Sequence, residues 1–348
     1  MRLKRIYRFH RWSGLIAGCF IFLLSLTGSI LAFHQELDDF QYHEYLHVEN
    51  DNVVSIDRAY ASIVANYSAW DIRLIRFSDN PSETLVFQLR QPDERLMVFV
   101  HPSSGELIKV VSQSDNLVFW VLKLHYSLHA GIVGEAIILF VGILFMVSLV
   151  TGIFVYRRML LKTLLFKVSF NTKNKNTFSS SLHRYVGVWA ILFNLIMAIS
   201  GLVISYEILI AGLKTTTPAV SNSPTLTTIS VDKMLDQYHK LYPAFNPSYI
   251  RFPTRAGDKI NISGTLENKS KFYSKFYNVS TADIQTGKLS PVTSIKPLSA
   301  FVRGLHFIEY GNWGIKLLFL VVGLSGPILS ITGYILWSRK YKTVYKVY

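Results

Sequence analysis

The sequence has a single cysteine in 348 residues, Cys19, so no intramolecular disulfide braces any part of the fold. It contains no Cys-x-x-Cys, no zinc spacing, no glycine-rich phosphate loop and no nucleophile–histidine–acid constellation. Thiol exchange, structural zinc, nucleotide-phosphate binding and acyl transfer therefore have no carrier in the chain. Acid is missing where base is dense. Residues 1–11 carry five Lys/Arg and no Asp or Glu, residues 157–184 seven and none, and residues 338–348 four and none. Four other stretches lack charge of either sign: 12–33, 136–156, 185–206 and 317–337, each 21 or 22 residues long.

A hydrocarbon core of about 30 Å is crossed by about 20 helical residues, so each uncharged run is long enough to span a membrane. With four crossings, the three acid-free basic segments fall on one side. By the positive-inside rule that side is cytoplasmic, with both termini there. The formal charge of +14 thus reads as topology rather than as a nucleic-acid footprint. The long segments 34–134 and 207–316 are then external. The first run has basic residues before it, but it lacks a small-x-small end and recurs in mid-chain, which makes it a retained span and not a cleaved signal.

What is present is organised as a repeat. His10-Arg11-Trp12-Ser13-Gly14 opens a span that closes on Thr27-Gly28; 173 residues later His183-Arg184-Tyr185-Val186-Gly187 opens one that closes on Ser200-Gly201. His125 leads to Thr151-Gly152, and His306 leads to Thr332-Gly333 with the same spacing. The chain reads as two copies of a two-span unit. The expected layout is span 1 at 7–37, an external domain at 38–115, an interfacial segment and span 2 at 116–158, and a basic loop at 159–181. Span 3 follows at 182–210, a second external domain at 211–298, an interfacial segment and span 4 at 299–339, and a tail at 340–348. A continuous helix from His125 to Tyr156 would be about 46 Å long, longer than the apolar layer, so it tilts out or bends near Gly131 or Gly134. Gly311 and Gly314 stand at the equivalent place after His306.

Each external segment predicts a helix on a small antiparallel sheet. In the first, a helix over 55–66 with a Ser55 cap precedes strands at 72–77, 84–89 and 96–100, with a turn at 102–105 leading into 106–111. In the second, a helix over 231–241 precedes strands at 249–252, 259–266 and 272–279, with a turn at 286–288; residues 214–230 read as a linker. Residues 34–134 hold seven basic and fourteen acidic side chains, and residues 207–316 thirteen and seven. Opposite charge would let the two dock; drift between solvated surfaces gives the same numbers.

Spans 1 and 3 enter from one side and spans 2 and 4 from the other. That sets His10 level with His183, and His125 level with His306. Two histidines projecting inward from facing helices can hold a b-type haem by both axial positions; a transition-metal site or a proton relay uses the same residues. Interface anchoring alone accounts for His10 and His183 but not for histidine recurring on both sides. Arg11 and Arg184 stand ready for haem propionates. Glycines 14, 18, 28, 187 and 201 allow a macrocycle or a helix to come close. His129, four residues after His125, shares its helical face and is an alternative outer ligand. His34 has no counterpart in the other copy, and His43, His47, His101 and His239 read as surface residues.

The motifs His10-Arg-Trp-x-Gly with Leu-Thr-Gly, Leu-His-Tyr-Ser-Leu-His-Ala-Gly-Ile-Val-Gly from Leu124 with Val-Thr-Gly-Ile, and Leu305-His-Phe-Ile-Glu-Tyr-Gly with Ile-Thr-Gly-Tyr-Ile-Leu-Trp resemble the PepSY-associated transmembrane helix family. The strand-turns Val-Phe-Val-His-Pro-Ser-Ser-Gly-Glu-Leu and Ala-Asp-Ile-Gln-Thr-Gly-Lys-Leu resemble those of PepSY domains. The resemblance covers nearly the whole chain. It implies a membrane α-helical protein: a four-helix transmembrane bundle from a tandem duplication, with two small α+β PepSY-like periplasmic domains. It further implies the bacterial inner membrane, a link to iron acquisition, and two b haems per chain on His10, His183, His125 and His306. The implied activity is that of a haem-dependent ferric-siderophore reductase, passing electrons from a cytoplasmic or membrane donor to a periplasmic ferric chelate. The lipid bilayer is the other expected partner, and nucleic acid is not one. His129 and Tyr310 depart from the family's usual residues at the outer site. A non-enzymatic reading also exists, in which the spans only anchor PepSY domains that bind a partner.

Overall fold

The computed structural model describes residues 3–49, 52–92, 94–214, 230–254, 258–266, 278–282, 288–294, 297–308 and 312–344. In chain order the helices and strands are α1 (Leu3–Leu31), α2 (His34–Gln41), α3 (His43–Leu46), α4 (Ile56–Tyr67), β1 (Asp71–Arg76), β2 (Leu85–Arg90), β3 (Arg95–Val100), β4 (Leu107–Ser112), α5 (Leu117–Ser127) and α6 (Gly131–Leu164). Then come α7 (Lys175–Trp189), α8 (Ile191–Lys214), α9 (Val231–Leu241), β5 (Phe245–Arg251), β6 (Ile260–Leu266), β7 (Asn278–Ala282), β8 (Thr293–Ser294), α10 (Pro297–Phe307), α11 (Trp313–Gly323) and α12 (Ser325–Val344). The described residues divide between two compact units, one within 1–33, 121–214 and 306–348, the other within 34–120 and 215–305.

The first unit is helical. Four stretches are long and apolar enough to cross a membrane: Leu3–Leu31, Gly131–Leu164, Ile191–Lys214 and Trp313–Arg339. The third uncharged run does not form one helix. It breaks at Ala190 (φ −90°, ψ 1°), so His183 lies on α7 and the span proper is α8. The long helix expected after His125 takes the bend: α5 ends at Ser127, and Leu128, His129 and Gly131 adopt φ of 51°, 55° and 55° before α6 begins. After α10 the chain turns likewise at Ile308, φ 60°. α1 packs on α6 around Ala17, Ile21 and Val141. Small residues bring helices close. A Cβ on Gly326 would stand 2.0 Å from Ser25 Oγ, and one on Gly14 2.9 Å from Ser148 Oγ.

The second unit is built on a single eight-stranded antiparallel sheet, ordered β4-β3-β2-β1-β5-β6-β7-β8. The sequence predicts two separate small sheets; their first strands instead pair edge to edge, with Arg73 opposite Arg251 and Leu74 opposite Ile250. An unpaired edge leaves a row of bare N–H and C=O groups, and the β1–β5 ladder removes one such edge from each half. Helices α4 and α9 lie on one face over a shared core that includes Ile63, Leu74, Phe87, Met234, Tyr238 and Ile250. Ser55 caps α4 as expected, accepting from Arg58 N, and Ser230 caps α9 in the same way. Each helix also caps the other. Asp232 accepts from Ile56 N and Asp57 N, and Asp57 accepts from Val231 N and Ser230 Oγ. On the opposite face α2 and α3, which the sequence reading did not find, cover Val86, Met97 and Phe99 with Tyr42 and Leu46. Residues 215–229 of the predicted linker 214–230, and most of the predicted strand 272–279 and turn 286–288, lie outside the described residues.

One ion-pair group crosses the seam. Asp71 accepts from Arg73 Nη2 at 2.6 Å and from Arg251 Nη2 at 3.1 Å. Burial raises the Asp71 carboxyl, but the hydrogen bonds and charges of the two arginines outweigh it and hold the group below its ordinary value. A depressed carboxyl stabilises the fold above its unfolded value and loses that contribution as pH falls through the folded one. Asp71→Asn is therefore expected to cost about 1–3 kcal/mol at pH 7. The gap in melting temperature between the two full-length proteins should close as pH drops below about 4. A gap that does not narrow as pH falls from 7 into the acid range would contradict this ionic origin.

Candidate functional site

Each of the four repeated histidines uses one ring nitrogen to hold itself in place. His125 Nδ1 lies 2.9 Å from Thr27 Oγ1, His306 Nδ1 2.9 Å from Ser200 Oγ, and His183 Nδ1 2.9 Å from Thr332 Oγ1. The hydroxyl protons are already spent on the preceding turn: Thr27 donates to Leu23 O at 2.9 Å, Ser200 to Ile196 O at 2.8 Å and Thr332 to Ile328 O at 2.6 Å. Each hydroxyl oxygen can then only accept, so the proton sits on Nδ1 and Nε2 keeps its lone pair. His10 reaches the same state by another route, donating Nδ1–H to the Ser148 carbonyl at 2.9 Å. Among the described residues no hydrogen bond is made to the Nε2 of these four.

The glycine after each hydroxyl makes room for the ring. A Cβ on Gly28 would stand 3.1 Å from His125 Cε1, on Gly152 3.1 Å from His10 Cε1, on Gly201 3.4 Å from His306 Cε1 and on Gly333 3.5 Å from His183 Cε1. Thr/Ser-Gly is thus a socket for an imidazole. The sockets work crosswise: the one on α1 holds His125, and α6 holds His10. In the other half α8 holds His306, and α12 holds His183.

The anchored rings meet in pairs, one from each half. The centroids of His10 and His183 are 6.4 Å apart, and those of His125 and His306 are 6.3 Å apart. Two metal–nitrogen bonds of about 2 Å and two ring radii of roughly 1 Å add to about 6 Å, so the spacing admits one metal atom bonded to both rings. No group of three or more His, Cys, Asp or Glu that could hold an ion exists among the described residues. Each pair offers two ligands, and a metal there would need its remaining ligands from a bound group.

A cavity of about 420 Å³ surrounds the first pair, with His10, His183, Gly14, Gly18, Gly187 and Gly326 on its walls. Arg11 and Arg184 line it too. Arg11 Nε is buried without a hydrogen-bond partner, and its guanidinium stands 5.6 Å from the Trp12 ring. Arg184 donates Nε to Ser180 O at 3.1 Å and Nη2 to Ser181 Oγ at 3.2 Å.

His129 stands apart. The spacing that would set it on the face of His125 needs a helix through 129, and α5 ends at Ser127; His129 is exposed in the positive-φ turn. His34 opens α2 near Asp38, His43 Nδ1 meets the Phe40 carbonyl, and His101 accepts from Ser103 N and Ser104 N in the turn after β3. Tyr310 and Gly311 lie outside the described residues.

Four membrane-spanning segments that carry the sockets for two pairs of histidines, with a sheet-containing unit formed by the intervening segments, define a membrane protein of a particular kind. The PepSY-associated TM region family model matches residues 7–340, and the chain belongs to that family. No curated protein matches it.

The geometry at His125 depends on a backbone contact. A Cβ on Gly134 would fall 1.7 Å from the Ser127 carbonyl oxygen, whereas one on Gly131 meets nothing within 4 Å. Gly134→Ala is expected to prevent folding or to cost on the order of 3 kcal/mol. Gly131→Ala, strained only by its φ, should cost about 1 kcal/mol. Melting of the detergent-solubilised variants checks the order, and equal losses would contradict it.

Proposed function

We propose that the protein is an inner-membrane di-haem b electron carrier that reduces ferric iron held in periplasmic chelates, siderophores among them. The observation that carries this reading is the pairing: at two places, imidazoles with an anchored Nδ1–H lie in a pair whose ring spacing admits one metal atom. The residues suit the group. Two neutral imidazoles could ligate a haem iron, and at the His10–His183 pair the glycine-walled cavity and the unpartnered Arg11 Nε offer room and a donor for an acidic edge. When bound, the two haems would supply a one-electron relay to Fe(III), which hard oxygen chelators release once it is reduced.

His10 and His183 would hold one group, and His125 and His306 the other. The sockets keep each imidazole in one tautomer and orientation and raise its basicity, as second-shell partners of metal-bound histidine do. Arg11 and Arg184, which line the cavity, would orient the first group by charge. No side chain is asked to move a proton. The donor is a cytoplasmic or membrane molecule, since the sequence has no flavin or nicotinamide fingerprint. The basic segments support both termini in the cytoplasm and the sheet unit in the periplasm. The like order of elements in the two halves supports a tandem duplication.

His10→Ala and His183→Ala should each remove the same haem, and His125→Ala and His306→Ala the other, so each leaves half the Soret absorbance per protein. His129→Ala should leave both. In sealed vesicles with the donor confined inside, the His306→Ala protein should keep its remaining haem reduced when ferric chelate is added outside. Its rapid oxidation by outside chelate, or loss of different haems from His10→Ala and His183→Ala, would contradict the reading.

A further inference from the structure

In an antiparallel sheet, residues directly opposite one another share a face, and so do residues two apart on one strand. Arg95 opposes Arg90, which opposes Asp71; in the next row Gln88 opposes Arg73, which opposes Arg251. These six side chains form two rows across β3, β2, β1 and β5, on the face turned away from α4 and α9. Four are arginines and one is acidic. The acid is already engaged, since Asp71 is bonded to Arg73 and Arg251. Arg90 donates Nε to Gln88 Oε1 at 2.6 Å, and Arg95 lies 5.5 Å over the Phe119 ring. Among the described residues neither has a carboxylate partner.

Like charges directly opposite one another across two strands work against the sheet. Burial, with the charges of Arg73 and Arg95 added, pushes the Arg90 guanidinium down to about 10. An anion laid across the rows would relieve that repulsion, and the planar fork of arginine matches the two oxygens of a carboxylate. The net charge of the first external segment hides the feature, because its acids lie elsewhere.

We propose that the patch formed by Arg73, Arg90, Arg95 and Arg251 binds an anionic ferric chelate of the polycarboxylate class, with carboxylates on the forks of Arg90 and Arg95. This rests on the ferric-chelate reading above and narrows it: the preferred substrates are anionic, and neutral hydroxamate chelates gain nothing from the patch. The binding step is non-covalent, and its strength should fall as salt is raised.

The test is titration calorimetry of the full-length protein in neutral-lipid discs with gallium(III) citrate, a ferric citrate analogue that accepts no electron. Its outcome therefore speaks to the patch and not to the relay, which haem content reports separately. Arg90→Gln and Arg95→Gln should each weaken binding at least ten-fold. Lys233→Gln, an equal charge change on α9, should stay within two-fold. Asp71→Asn frees two forks and should tighten binding several-fold, a gain that misfolding cannot produce. Binding by Arg90→Gln and Arg95→Gln within two-fold of the unaltered protein would overturn the proposal. So would an equal loss in Lys233→Gln, or a neutral gallium trihydroxamate bound as tightly as the citrate. No citrate binding in neutral discs would overturn it as well.

Discussion

A histidine ring inside an apolar bundle is useful only if one nitrogen is committed and the other is free, and here a hydroxyl or carbonyl on the neighbouring helix makes that choice. Thr27, Ser200 and Thr332 give their protons to the preceding turn and so must accept from the imidazole. The following glycine lets the ring lie against the helix backbone. Much of the helical unit follows from this contact. α1 must lie along α6 for His10 and His125 to reach their sockets, and α7 must lie along α12 for His183 to reach its own. The helix breaks after Ser127 and Phe307 place His125 and His306 in the last turns of short helices instead of on the faces of long ones.

The sheet unit shows the same economy of repeated parts. Two four-stranded halves meet at β1 and β5, and the aspartates of two Ser-x-Asp helix starts exchange caps across the seam. Asp71 adds an ionic tie at the same junction. Each half alone leaves its first strand unpaired and its helix start with only its own serine cap, so the two are expected to fold together.

Much of this was legible in the sequence because it is local. Apolar runs give spans, Ser55 gives a helix start, and alternation gives the strands of the first half to within a residue or two. The level placement of the histidines followed from counting crossings. Long-range choices were not legible. Nothing in the spacing of His10 to Gly28 says that Gly28 serves His125, 97 residues away in the sequence. Gly131 announces the bend, but Leu128 and His129, neither glycine nor asparagine, take positive φ just before it, and this removed His129 from the helical face of His125. The reciprocal caps did leave a trace: Ser55-Ile56-Asp57 echoes Ser230-Val231-Asp232, which points to equivalent helix starts. That the first strands pair with one another had no trace, because edge pairing is written in backbone groups that every sequence shares.

The central claim is that each facing pair holds one haem through both imidazoles. Haem content and low-temperature electron paramagnetic resonance of the oxidised protein, produced with ample haem, test it most directly. The account predicts two haems per chain and two low-spin signals of bis-imidazole type; protein without haem, or with high-spin haem only, would contradict it.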